Sequence, residues 1–374
     1  MLFQKLMGKG PASMISPDAP KGLWSWGYNY NGALGQGNQG AGTHLSSPAQ
    51  VGGIITWSNV AGGQASAIAL KTDGTLWSWG RNTDGGQLGL GDIISRSSPV
   101  QIGTLTAWSR ITGGRFHTLT TKTDGTLWSW GKNNFGQLGL ANLVLRSSPV
   151  QVGTLVTWSS VAGGNYHSFA LKTDGTLWSW GRSDYGQHGL GDGVERSSPV
   201  QIGTLATWSS MVAGSNHSLA LKTDGTLWSC GLNNYGQLGD NTTINRNSPT
   251  QVGTLATWSS IAGGGRHTLA IKTDGTLWSW GRNFEGQLGQ SDSIKRSSPV
   301  QVGTLATWSS VAGGNYHTLA LKTDGTLWSC GWNNWNQLGL TVSGGYRSSP
   351  VQVGTMTTWT KVATKQYSSF AIGS

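Results

Sequence analysis

Lys71-Thr72-Asp73-Gly74-Thr75-Leu76-Trp77-Ser78 decides the fold, because the same eight residues return unchanged at 122–129, 172–179, 222–229, 272–279 and 322–329. Successive copies start 51, 50, 50, 50 and 50 residues apart, and a shortened seventh, Gly22-Leu23-Trp24-Ser25-Trp26-Gly27, stands near the front. Self-similarity at a fixed period of this length marks one supersecondary unit stacked on itself. Inside the octapeptide, Asp-Gly predicts a two-residue type I′ turn between two antiparallel strands.

The sixth copy shows the whole unit. Residues 308–314 form a first strand ending in small residues, which suit the crowded hub of a propeller. A second strand, 317–323, places Leu319 and Leu321 on one face; a third covers 326–330, and 350–353 follow a long loop as the fourth. Four short antiparallel strands per repeat match one propeller blade. Residues 22–51 supply only a third and a fourth strand, and 359–372 only a first and a second. The expected fold is therefore all-β: a seven-bladed β-propeller of four-stranded antiparallel blades over 22–374. Its N- and C-terminal strands pair in one blade to close the ring, and a tail, 1–21, precedes it. Of the 21 Trp, all but Trp332 and Trp335 fall at repeated strand positions and are assigned to blade packing.

Composition narrows the function. Charged residues make up 11% of the chain, against about 25% in an average globular protein, and 59 Gly speak for turns and strands. The net charge of +10 reflects scarce acids, since the Lys of each octapeptide lies two residues from an Asp and the two cancel. No dense basic run marks a nucleic-acid partner. Cys230 and Cys330 hold the same repeat position two copies apart, replacing the second Trp of the third strand. That separation exceeds disulfide reach, so both are expected as buried thiols. No stretch is long and apolar enough to span a bilayer, and Lys5 inside the short apolar run at 1–10 argues against a signal peptide. Leu2, Phe3, Leu6 and Met7 form an apolar stripe too short to fold alone, and it is expected to dock on a surface.

The unit Gly-Gly-x-x-His-Ser/Thr, then Asp-Gly-x-Leu-Trp-x-Trp-Gly and Gly-Gln-Leu-Gly, appears as Gly163-Gly164-Asn165-Tyr166-His167-Ser168, Asp174-Gly175 and Gly186-Gln187. It is similar to the repeat of the regulator-of-chromosome-condensation family, and the resemblance covers 22–372. The resemblance implies the propeller but does not choose a function. Similar propellers of that family include a nuclear guanine-nucleotide exchange factor, a plant ultraviolet photoreceptor and a secreted inhibitor of β-lactamases. The exchange factor's resemblance implies an inserted wedge, whereas these copies vary by only a few residues. The photoreceptor's implies Trp in the two positions before the repeated His. Those positions read Gln64-Ala65, Arg115-Phe116, Asn165-Tyr166, Ser215-Asn216, Gly265-Arg266, Asn315-Tyr316 and Gln366-Tyr367, without a Trp.

Candidate site residues are weighed against packing roles. His117, His167, His217, His267 and His317 recur at one position, with Ser66 and Ser368 in the outer copies. Ligands of one metal ion must converge within about 2.1 Å of it, and residues on five blades do not. Buried imidazoles bonded to neighbouring backbone are expected, with no metal and no cofactor. Arg96, Arg146, Arg196, Arg246, Arg296 and Arg347 are expected to anchor loops through carbonyls and acids such as Asp92 and Asp192. Phe135, Tyr185 and Tyr235 are expected to pack inside their own blades. No catalytic constellation is present in the sequence, so a non-enzymatic protein is expected.

The copies diverge in the loops, where a rigid scaffold meets partners. Trp332 stands where other copies have Arg81, Lys132, Arg182, Leu232 and Arg282, and with Trp335 and Tyr346 it concentrates aromatic area. Those three are the primary partner-binding candidates; Arg115, Tyr166, Arg266 and Tyr316 form a secondary patch. The expected function is a binding or structural module of a larger assembly, with a protein or surface-glycan partner, a virion or cell-surface appendage being one concrete form. The alternative is an exchange-factor-like regulator of a small GTPase.

Overall fold

In each full copy the octapeptide closes a circuit of hydrogen bonds. In the sixth, Asp324 Oδ1 accepts from Thr326 N (2.9 Å) and Thr326 Oγ1 (2.7 Å), and Thr326 Oγ1 accepts in turn from Trp328 Nε1 (2.9 Å). The Lys322 ammonium lies 3.8 Å from the centre of the Trp328 ring. Its charge is met by an indole face rather than by the nearby Asp. Gly325 has φ 77° while Asp324 keeps a negative φ, and Gly325 N donates to Lys322 O. The connection is thus a type I turn followed by glycine in the left-handed region, not the expected type I′ pair. The carboxylate is the cause: bonding the N–H two residues on holds Asp324 in an Asx turn.

The computed structural model describes residues 21–53 and 56–374, so Leu2, Phe3, Leu6 and Met7 lie outside the described residues. It contains seven four-stranded antiparallel sheets. Six are contiguous in sequence and are numbered here as blades one to six: 57–101, 108–151, 158–201, 208–251, 258–301 and 308–352. The closing blade runs Leu45–Gln50, Gly22–Gly27, Ser368–Gly373, Trp359–Thr364. Gly22 stands opposite Gly373 and Gly27 opposite Ser368. Each end of the array supplies two strands, as the strand count requires, and closure leaves every blade flanked on both sides. The octapeptide turn is absent from this blade, and Trp24 Nε1 has no partner there.

Adjacent blades are joined by a repeated polar staple between buried faces. His117 Nε2 lies 2.9 Å from Ser168 Oγ in the next blade, and that hydroxyl donates back to Gln137 O at 2.7 Å. Since the hydroxyl proton goes to the carbonyl, the imidazole must donate through Nε2. Its bare Nδ1 has no partner. The same link joins His167 to Ser218, His217 to Thr268, His267 to Thr318 and His317 to Ser369. The partner is therefore a hydroxyl of the next blade, not the expected backbone, because the ladders already occupy the strand backbone. Full burial drives His117, His267 and His317 down to about 3 and His217 to about 4, with His167 also far below the usual range. The second Trp of the third strand reaches the same carbonyl, as in Trp180 Nε1 to Gln137 O at 2.9 Å. Cys230 and Cys330 take that position as free, buried thiols, pushed up to about 12 by burial.

Three places break the pattern; the first is blade one, where Ser66 holds the His position and puts no imidazole on Thr118 of blade two. Where the closing blade meets blade one, Ser368 occupies the His position and Ala67 the hydroxyl position. Lys365, standing where other blades have glycine, enters the gap. It is 3% exposed, and its Nζ donates at 3.3 Å to Ala33 O, the carbonyl that also accepts from Trp79 Nε1. Burial holds this amine well below the ordinary lysine range. Elsewhere no side chain fits: a Cβ on Gly314 would lie 2.2 Å from His317 Cε1. In blade three, Ser183 and His188 replace the Asn and Leu of other copies, as in Asn133 and Leu138. Both are fully buried; Ser183 Oγ is unpartnered, and the His188 ring has at most a marginal approach to the Trp180 backbone.

Candidate binding face

Gly181 pairs with His167 at the end of their ladder, so the loop entering the second strand and the loop leaving the third emerge side by side. Of the partner-binding candidates, Arg115, Tyr166, Arg266 and Tyr316 lie in the first of these loops and Trp335 in the second, while Trp332 ends the third strand and Tyr346 opens the fourth, all on one face of the ring. Trp332, at the end of strand Leu327–Trp332, packs edge-on against Tyr316 and Tyr367, with ring centres 5.5 Å away in each case. Tyr316 and Tyr367 stack at 6.2 Å. Tyr367 meets Tyr28 at 6.0 Å, and Tyr28 meets Trp335 at 5.2 Å, His44 at 5.0 Å and Tyr30 at 6.2 Å. Trp335 and His44 complete the group at 5.3 Å. Seven rings from blade six and the closing blade thus form one continuous cluster. Edge-to-face pairs of this kind are each worth about 0.5–1.5 kcal/mol beyond burial, which fixes their orientation. Burial raises the Tyr28 and Tyr367 phenols and lowers His44, keeping the cluster uncharged near neutral pH.

The structure regroups the candidates. Tyr316, assigned to the secondary patch, belongs with Trp332; Tyr346 is 55% exposed and pairs with Trp332 across the sheet. Trp335 turns toward the closing blade. Arg115 and Tyr166 lie elsewhere: the Arg115 guanidinium sits 4.9 Å from the Phe116 ring centre and 5.8 Å from that of Tyr166. Arg266 is exposed over Tyr235. Phe135, Tyr235 and Trp335 each reach the following blade, through Tyr166, Phe284 and Tyr28 respectively, rather than packing only within their own. Tyr28, Tyr30, His44 and Tyr367 were not identified from sequence as site residues. Tyr367 and Tyr28 carry a signal, since they hold the repeat positions of Tyr316 and Trp332; Tyr30 and His44 lie in the loop of the shortened first copy, where the copies diverge.

The rim arginines do anchor loops. Arg96 reaches Asp92 (2.5 Å) and Ile94 O (2.7 Å), and Arg196 reaches Asp192 (2.7 Å) and Val194 O (3.0 Å). Arg146 and Arg347 bond only to carbonyls, those of Leu145 and Tyr346. Among the described residues no cluster of three or more His, Cys, Asp or Glu could hold a metal ion, and no helix is long and apolar enough to cross a membrane. What the face offers chemically is rigid aromatic area and hydrogen-bond donors.

Comparison with known proteins matches the model described as "Regulator of chromosome condensation (RCC1) repeat" at 73–120, 124–171, 174–221, 224–271, 274–321 and 324–372. The chain is 33% identical over 113 residues to the ultraviolet-B receptor UVR8 of Arabidopsis thaliana, covering 29% of this chain and 25% of the receptor. It is 34% identical over 79 residues to the X-linked retinitis pigmentosa GTPase regulator homolog of Caenorhabditis elegans, covering 21% of this chain and 6% of that protein. The matches thus span a quarter or less of these relatives. Among solved structures, Prp20p of Saccharomyces cerevisiae, described with its binding to Gsp1p and histones, superposes with a TM-score of 0.83 at 22% identity, covering 95% of this chain and 91% of that one. Human WBSCR16 gives 0.84 at 22% identity, covering 94% and 98%. At these identities the likeness to the solved structures is one of fold.

Proposed function

The chain belongs to the regulator of chromosome condensation (RCC1) repeat family, and from that premise we propose that it is a regulatory binding module acting through the face that carries Trp332, Trp335 and Tyr316. The observation that carries this reading is the seven-ring cluster. Within it Trp332 and Tyr28 stand where the other copies carry Arg, Lys or Leu, while the framework beneath them repeats almost letter for letter. Rigid aromatic side chains give large contact area at small entropic cost, and binding energy concentrates in Trp, Tyr and Arg. Tyr30 and Tyr346, both more than half exposed, leave the cluster open at its border.

The relatives favour a GTPase as the partner class. Prp20p binds Gsp1p, and the nematode relative is named a GTPase regulator. This puts the regulator reading ahead of a glycan-binding or virion role, which none of these relatives supports. The module works by binding, without covalent chemistry.

The test is a panel of small GTPases loaded with fluorescent GDP, read for binding and for nucleotide release. Binding to at least one member is expected, with Trp332→Ala costing about 2 kcal/mol, roughly thirtyfold in affinity. Because Trp332 also packs on Tyr316 and Tyr367, its thermal stability is measured alongside, and exposed Tyr346→Ala serves as the variant that leaves folding unchanged. Full affinity in both variants, or no binding across the panel, would overturn the proposal.

A further inference from the structure

At the hub of the same face the loops before the repeated His surround a cavity of about 310 Å³. These loops are where otherwise near-identical copies differ, and the ring gathers their differences around one axis. They are stitched to one another by backbone bonds from Gln64 N to Arg115 O, Arg115 N to Gly164 O, Asn165 N to Ser215 O, Ser215 N to Gly264 O and Gly265 N to Gly314 O. The side chains therefore stand on a fixed collar. Glycines make up half of its wall; Arg115, Arg266, Lys365 and several amides are among the polar residues lining it, and no Asp or Glu is.

The two arginines are unlike those at the rim. The ion pairs among the described residues all lie in the outer loops, and none involves Arg115 or Arg266. Each is nonetheless oriented along one edge. Arg115 Nε donates to Gln64 Oε1 at 2.8 Å over the Phe116 ring, and Arg266 Nη1 lies 3.1 Å from the Tyr235 hydroxyl over that ring. They belong to blades two and five, as far apart as a seven-bladed ring allows.

We propose that this funnel binds a small polyanion, a molecule carrying two or more carboxylate or phosphate groups, between Arg115 and Arg266. The amides of Asn165, Asn216 and Asn315 complete the donor set. Guanidinium forks held at one edge and free at the other are suited to bidentate oxyanion bonds, which are strong and directional. A neutral or apolar ligand would leave them unused. The volume lies at the small end of ligand sites, which sets the ligand at metabolite size.

Isothermal titration calorimetry with citrate and with tripolyphosphate, and with inositol as the neutral control, tests this. Saturable binding of one polyanion per chain is expected, with no inositol heat. Arg115→Gln and Arg266→Gln should each weaken it about tenfold or more, the scale of a lost charge-assisted pair. Arg347→Gln, which removes a rim arginine that also lacks a carboxylate, should change it less than about twofold, as expected of screened surface charge. Arg266 is exposed, so its variant keeps the test valid should Arg115→Gln fail to fold. Trp332→Ala should leave polyanion binding intact, which separates this site from the partner face. Absence of saturable binding by both probes, or equal loss in Arg347→Gln, would overturn the assignment.

Discussion

Acidification from pH 7.5 to 4.5 should dismantle the propeller, and the five staple histidines set the scale. An imidazole in the unfolded chain titrates near its ordinary 6.5, whereas burial holds His117, His267 and His317 near 3 and His217 near 4, with His167 lowered in the same sense. The folded value is depressed for a base, so the unfolded state binds more protons throughout the interval. Stability is full above about 6.5 and falls as pH drops toward the folded values. Each histidine then costs on the order of 1 kcal/mol per pH unit, and five together lose on the order of 10 kcal/mol between pH 6.5 and 4.5. That matches the 5–15 kcal/mol that typically holds a domain together. The octapeptide aspartates, exemplified by Asp324, are lowered below 3.8 by their Thr bonds, so their contribution is lost only at still lower pH. Urea unfolding followed by Trp fluorescence at stepped pH should show a steep fall of the midpoint with an uptake of about five to six protons, the sixth from His188, which burial lowers to about 4. His317→Asn should remove one proton from that slope. A midpoint flat down to pH 4.5, or an uptake of one proton or fewer, would refute the reasoning.

Gly314→Ala should strongly destabilise blade six, because the new Cβ meets His317 at 2.2 Å; adding His317→Ser should recover part of the loss, a coupling on the order of 2 kcal/mol in a double-mutant cycle. Additive losses would show that the two positions do not interact. Ser183→Asn with His188→Leu, restoring the residues of the other blades, should stabilise by about 2 kcal/mol by removing unpaired buried polar atoms, read as a rise in melting temperature; an unchanged or lower value would mean that those atoms are already satisfied. Deleting 359–374 should leave Gly22–Gly27 with an open edge and cause aggregation by light scattering. A soluble monomer with unchanged melting would contradict that closure.

The blade was legible because its determinants are local: the octapeptide and the strand count lead to seven blades and to the joining of 22–51 with 359–372. Contacts between blades were not. The hydroxyl that receives His117 lies 51 residues on, and nothing in either copy names its partner. The turn was misassigned because Asp-Gly pairs favour type I′ on average, while here the Asp73 carboxylate bonds Thr75 N at 2.8 Å and selects another geometry. The burial of Lys365 was not legible, since it follows only from the simultaneous loss of histidine at 368 and hydroxyl at 67. The aromatic cluster was half visible. Trp332 broke the repeat and Trp335 kept its aromatic position, but Tyr28 became their neighbour only when the ring closed.

The closing blade also imposes a schedule on synthesis. Ser368 donates to Tyr28 O across 340 positions of chain, whereas each of blades one to six is complete within its own stretch of sequence. At about 5–20 residues per second on the ribosome, roughly 17–70 s separate the appearance of Tyr28 from that of Ser368. Six blades can fold as they emerge, but the strand Gly22–Gly27 must wait for its inner neighbour throughout translation. The cell therefore holds a nearly finished ring with one unmatched seam until Ser368–Gly373 leave the exit tunnel.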